Sequence, residues 1–173
     1  MGLVSLFSGV VLTSCKTYLK SGESSNTNAV PNDTLFLSQA YLHSKTGQEY
    51  ASVASHKAAN QEIRIYSEKG ALFQQRTAFM WDSLSKKKQI PLLDKVAEEH
   101  KNKLKELANI DSANFDREYL SRMENQLMSQ IDLLENVSTR SEDNDITTLA
   151  ITLLPEYHSQ LDTLLSVKQR TSK

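Results

Sequence analysis

Residues 60–88, NQEIRIYSEKGALFQQRTAFMWDSLSKKK, place Ile63, Tyr66, Gly70, Phe73, Thr77, Met80 and Leu84 at spacings that alternate three and four without a slip. That alternation holds one stripe on one face of an α-helix, and a stripe this long is a seam that faces a partner helix. Asn60 supplies an N-cap, because its side-chain oxygen can accept from backbone N–H groups of the first turn. Lys86, Lys87 and Lys88 fall in the last turn, where the helix dipole favours cations. Trp81 is read as packing at the edge of the core.

The same reading extends in both directions. Phe36, Ala40, His43, Gly47, Tyr50 and Ala54 form an earlier stripe, with Asp33 or Thr34 as its N-cap. After the long helix, Gln89-Ile90-Pro91 leaves room for a tight reversal, with Pro91 opening a third helix that carries Leu93, Val96, His100, Leu104 and Leu107. A fourth stripe runs through Phe115, Tyr119, Met123, Leu127, Ile131 and Leu134. A fifth spans about Asp145 to Lys168 with Ile146, Leu149, Leu153, Tyr157, Leu161 and Leu164, and Pro155 kinks it or opens it afresh. Helices with short links and one apolar stripe each bury those stripes by packing antiparallel. The expected fold is all-α, an up-and-down bundle of four long helices plus one shorter helix over residues 35–170. With 5 Gly and 3 Pro in 173 residues, the chain has too few turn formers for a sandwich, barrel or Rossmann-type sheet.

Residues 1–14, MGLVSLFSGVVLTS, carry no charge, and their apolar run has the length of a signal-peptide core rather than of a membrane-spanning helix. The run ends at Leu12-Thr13-Ser14-Cys15, which resembles the bacterial lipoprotein signal. There a thiol accepts a diacylglyceryl group as a thioether, and small residues open the preceding bond to the signal peptidase. Cys15 is therefore the expected lipidation site, and two or more acyl chains on one residue anchor a protein stably. No Lys or Arg precedes Lys16, so the start is read as internal to a longer frame. Myristoylation of Gly2 is excluded, since Leu6 stands where Ser or Thr is needed. Lys16 rather than Asp after the cysteine points, by analogy with enteric bacteria, to the outer membrane. Residues 15–34 read as the acylated cysteine and a flexible polar tether that holds the body on the order of 25 Å from the lipid. The expected partners are membrane lipid, through Cys15, and another envelope protein.

Recognisable chemistry is sparse. A net charge of −1 leaves no electrostatic footprint for nucleic acid, and a single Cys excludes a disulfide framework or cysteine-rich zinc site. A di-iron bundle needs inward carboxylates and two Glu-x-x-His pairs. The residues three before His43, His56, His100 and His158 are Ala40, Val53, Ala97 and Pro155, none acidic. The five glycines never cluster into a phosphate-cradling loop, and no G-x-S-x-G elbow occurs. Neither an enzyme nor a cofactor is expected. His43 and His100 lie on apolar stripes and are the candidates for a metal ligand or a proton-sensitive core group, set against a core histidine bonded to a carbonyl or a Tyr hydroxyl. Tyr50, Tyr66 and Tyr119 are the expected polar neighbours of His100, amid hydrocarbon. His56 and His158 are expected at the surface, and Glu98-Glu99, Glu142-Asp143 and Asp145 as helix-start or loop charges.

His100 with Leu104 and Leu107, then Phe115-Asp116-Arg117-Glu118-Tyr119 and Met123, then Leu153-Leu154-Pro155 with Leu161, resemble the bacterial domain-of-unknown-function family 4142. Phe36, Ala40, Val53-Ala54, Lys57-Ala58 and Ile63-Arg64 fit its first two helices. The most specific part is the Phe-Asp-x-x-Tyr motif at a fixed distance after a His. The resemblance implies a ferritin-like helical bundle, exported or lipid-anchored, of no established activity. Gly47 stands where the family usually has Glu, Phe73-Gln74 where it has Asp-His, and Gln160 and Leu127 where it has His.

Overall fold

The computed structural model describes residues 33–93 and 97–171, with the backbone only for 97–100. Caps set the ends of its helices. The Asn60 side chain accepts from the Glu62 N–H at 2.8 Å, so α2 runs Gln61–Lys88. Asp111 accepts from the Asn114 N–H and starts α4, Ser112–Arg140. α1 spans Asp33–Lys57, α3 Ala97–Asn109 and α5 Asn144–Thr171. Cys15 and residues 1–32, the expected signal and most of the tether, lie outside the described residues; α1 begins at Asp33, two residues before the expected start of the bundle at residue 35.

Side-chain pairs fix the arrangement of the four long helices. Phe36 meets Trp81 edge-on, which sets α1 against α2. The Ser141 hydroxyl donates to Asp33 and Gln126 donates to the His43 carbonyl, which sets α1 antiparallel to α4. Lys168–Glu124 joins α5 to α4, and Arg170–Glu62, Arg76–Glu156 and Lys87–Asp145 run in antiparallel register along α5 and α2. Neighbouring long helices are therefore antiparallel. α2 and α4 nevertheless point the same way, so the chain must return along the bundle between them, and α3, lying on α1 and α4, makes that return. A bundle with one long crossover connection is the ferritin-like variant of the four-helix theme.

The apolar stripes enter the core as their periodicity requires. All six named positions of α4 are buried, as are Ile146, Leu153, Tyr157 and Leu164 of α5, with Leu149 and Leu161 partly covered. Four local readings change. Trp81 is not at the core edge; it is fully buried, because α1 brings Phe36 onto its indole. Pro91 does not open α3. Gln89 instead closes α2 in the left-handed conformation (φ 56°), the Ile90 N–H bonds back to the Ser85 carbonyl, and residues 90–93 are not helical. Leu93, expected in the core, is exposed. α5 passes through Pro155 as a single helix, and the ring nitrogen there has no hydrogen to offer the Ile151 carbonyl one turn back. The lysines at the end of α2 and the acids at the start of α5 also do more than sit in solvent. Lys88 pairs with both Asp143 and Asp145, so cations at one helix C-terminus meet anions at another helix N-terminus.

Candidate functional site

Three polar constellations stand out, and two of them are occupied with holding the fold. The first contains the Phe-Asp-x-x-Tyr motif. Both Asp116 carboxylate oxygens accept backbone N–H groups of the α1–α2 turn, from Ala59 at 2.9 Å and Asn60 at 2.8 Å. Lys57 donates to the Ala108 and Ile110 carbonyls, both at 2.6 Å, and its ammonium sits 5.1 Å from the centre of the Phe115 ring. Arg64 donates to the Ala58 and Ala59 carbonyls. Phe115 and Tyr119 are fully buried and parallel, with centroids 6.2 Å apart. The motif is a latch that ties the α1–α2 turn and the end of α3 to the start of α4. Its groups are committed to backbone atoms.

The second constellation lies within the bundle. The Tyr157 hydroxyl is 3.1 Å from both Ser44 and Thr77 and 3.4 Å from the Gln74 amide oxygen, and all four residues are buried. Burial pushes the Tyr157 phenol up to about 12, against the hydrogen bonds of Ser44 and Thr77. Gly47 makes room for this layer: a Cβ there would lie 2.8 Å from Gln74 Cδ. Gln130 is also buried, and its amide has no hydrogen-bond partner; the Trp81 and Tyr66 polar atoms are likewise unbonded. Tyr119 Oη lies beside Ser67 without a hydrogen bond of ordinary geometry, and burial raises both Tyr66 and Tyr119. Sequence reasoning placed Tyr157, Thr77 and Gly47 on the core stripes but missed Ser44, Gln74 and Gln130. Each has a polar residue at helical spacing (Gln48, Thr77 and Gln126), so no clean apolar stripe marks them, and only Gln74 is singled out, by the family resemblance.

The third constellation is open. A groove of about 470 Å³ runs between α1, α3 and α4, lined by His43, Thr46 and Tyr50, by Lys103 and Glu106, and by Arg122 and Gln126 among others. The Arg122 guanidinium bonds Glu118 through Nε at 3.0 Å and approaches Glu106 at 3.4 Å. His43 is half-buried, and its Nδ1, sealed from solvent, has no hydrogen-bond partner among the described residues. Burial first, then the positive charge of Lys103, holds its imidazole below the ordinary range, so it is neutral near pH 7. Gln39, Asn125 and Ser129 complete the lining, and among the described residues their side chains make no hydrogen bond. The groove thus presents a neutral imidazole, amides, hydroxyls and an already neutralised guanidinium.

Of the two candidate histidines, His43 sits in this groove. His100 is on α3, with its side chain outside the described residues. Tyr50 lines the groove beside Arg122, whereas Tyr66 and Tyr119 belong to the core. His56 and His158 are exposed. Among the described residues, no three His, Cys, Asp or Glu side chains cluster as metal ligands, and no helix is long and apolar enough to cross a membrane.

Four long antiparallel helices, a crossover helix and a side groove define an all-α bundle with a filled core. The chain belongs to the family Domain of unknown function (DUF4142), which matches residues 19–167. No curated protein and no solved structure matches it.

Proposed function

We propose that this chain is a binding module of the bacterial envelope, held to the outer-membrane leaflet by acylated Cys15, with no catalytic role. The Leu12-Thr13-Ser14-Cys15 sequence supports the anchor. Metabolic labelling with an alkyne fatty acid tests it: the wild type takes up label and Cys15→Ala does not. An unlabelled wild type, or label that survives Cys15→Ala, overturns the anchor.

The unanswered polar groups of the groove carry the binding role, because a pocket of this size with convergent hydrogen-bonding groups is the default seat for a small ligand. Under this reading a small polar ligand or a segment of an envelope partner docks between α1 and α4, with the Gln39, Asn125 and Ser129 side chains as its hydrogen-bonding partners and His43 in the wall. Nuclear magnetic resonance screening against small sugars, carboxylates and amides is expected to shift His43 and its groove neighbours together. Shifts scattered over the surface, or none, count against the groove.

A further inference from the structure

α2 carries a second apolar stripe on the face opposite its core seam. Ile65 is 45% exposed, Leu72 68% and Phe79 69%. Seven residues are close to two helical turns, so the three fall on one line at intervals of about 10.5 Å. Glu68 and Gln75 flank that line on one side, Lys69 and Arg76 on the other. Scattered apolar residues on a surface need no explanation, but an aligned series does.

We infer that this stripe is the interface between two copies of the chain, packed with their α2 helices parallel about a two-fold axis. The charges select the partner and its direction. In a parallel pair the Glu68/Gln75 flank of one copy meets the Lys69/Arg76 flank of the other, so Glu68 faces Lys69 twice across the axis. In an antiparallel pair each flank meets its own kind, so the two Glu68–Lys69 pairs are lost and Lys69 instead faces Arg76, which is already paired with Glu156. Ile65, Leu72 and Phe79 each meet themselves in the parallel arrangement, which is the self-complementarity a two-fold interface requires. A lipid surface is the poorer occupant. Glu68 borders the stripe, and the lysine-rich end of α2 is answered by Asp82, Asp143 and Asp145, which leaves little net positive charge to draw anionic headgroups. The contact does not depend on the anchor. If Cys15 is acylated, confinement to one leaflet aligns the copies in parallel and raises their effective concentration.

Cysteine cross-linking of the full chain in a Cys15→Ser background tests both partner and direction. Ile65→Cys, Leu72→Cys and Phe79→Cys, each made singly, are expected to give covalent dimers on oxidation or with a short bismaleimide. Asp132→Cys on exposed α4 is expected to stay monomeric. Sedimentation of the Cys15→Ser chain is expected to move from the 19.5 kDa monomer toward twice that mass between about 1 µM and about 1 mM, and Leu72→Asp is expected to abolish the shift. Cross-linking at position 72 but not at 65 or 79 means an antiparallel pair and overturns the proposal. So does a monomer throughout with no cross-link at any of the three. So too does a polarity-sensitive label on the Leu72→Cys chain that responds to phosphatidylglycerol vesicles while the chain remains monomeric. Cross-linking of the wild type through Cys15 would instead expose a free thiol, and would count against the anchor without bearing on the stripe.

Discussion

The Asp116 latch and the His43 groove are both polar and both built where α3 lies against α1 and α4, yet they differ in one respect. At the latch, Asp116, Lys57 and Arg64 are each answered by backbone atoms of the same chain. In the groove, the Gln39, Asn125 and Ser129 side chains make no hydrogen bond among the described residues. Polar groups that converge on a turn's backbone hold the fold. Groups that converge on open space are available to another molecule. The Phe-Asp-x-x-Tyr motif is thus accounted for by stability, and the proposed binding role falls to residues with no motif at all.

Mutations can break that contrast. Phe115→Ala, which empties the centre of the latch, is expected to cost about 3–5 kcal/mol in chemical unfolding. Asp116→Ala leaves two backbone donors of the α1–α2 turn without their carboxylate and should cost about 2–3 kcal/mol. Asn125→Ala and Ser129→Ala in the groove should stay within about 0.5 kcal/mol of wild type. If the groove pair costs as much as Asp116→Ala, the two regions are not different in kind.

Gly47→Ala sharpens the picture of the layer between them. Alanine gains about 1 kcal/mol of helix propensity over glycine. The new methyl, however, collides with a Gln74 side chain that is itself buried and bonded, so a net loss of about 1–2 kcal/mol is expected in the same assay. A net gain would show that Gln74 has room to move. Gln89→Gly, at the left-handed residue that ends α2, should add about 0.5–1 kcal/mol.

The smallest effect concerns pH. Burial holds native His43 below its ordinary value of 6.5, so as the pH falls the unfolded chain takes up the proton first. The stability this represents is complete above pH 6.5 and is lost as the pH drops toward the lowered native value. Unfolding measured at stepped pH should show that slope in the wild type and a flatter one in His43→Gln.

Much of the fold was legible because helical periodicity is a direct consequence of burial. The stripes of α1, α2, α4 and α5 became buried faces, and the Asn60 cap formed as its side chain allows. Less legible were features that depend on what arrives from elsewhere in the chain. Trp81 is central only because Phe36 packs on it, and nothing local foretells the left-handed Gln89. Nothing local marks Asp116 as a partner of the α1–α2 turn until that turn is placed against it. His43 was visible as a polar residue on an apolar stripe, but the groove around it is assembled from three helices, and Lys103, Arg122 and Gln126 carry no signal of their own.

The proposed function joins an acylated Cys15 to a bundle whose open polar groove would be its working surface. Intact-mass spectrometry of the chain extracted from bacterial membranes tests the anchor directly. A polypeptide beginning at Cys15 with a diacylglyceryl thioether is the expected result. A chain that retains residues 1–14 and a free Cys15 thiol would contradict it.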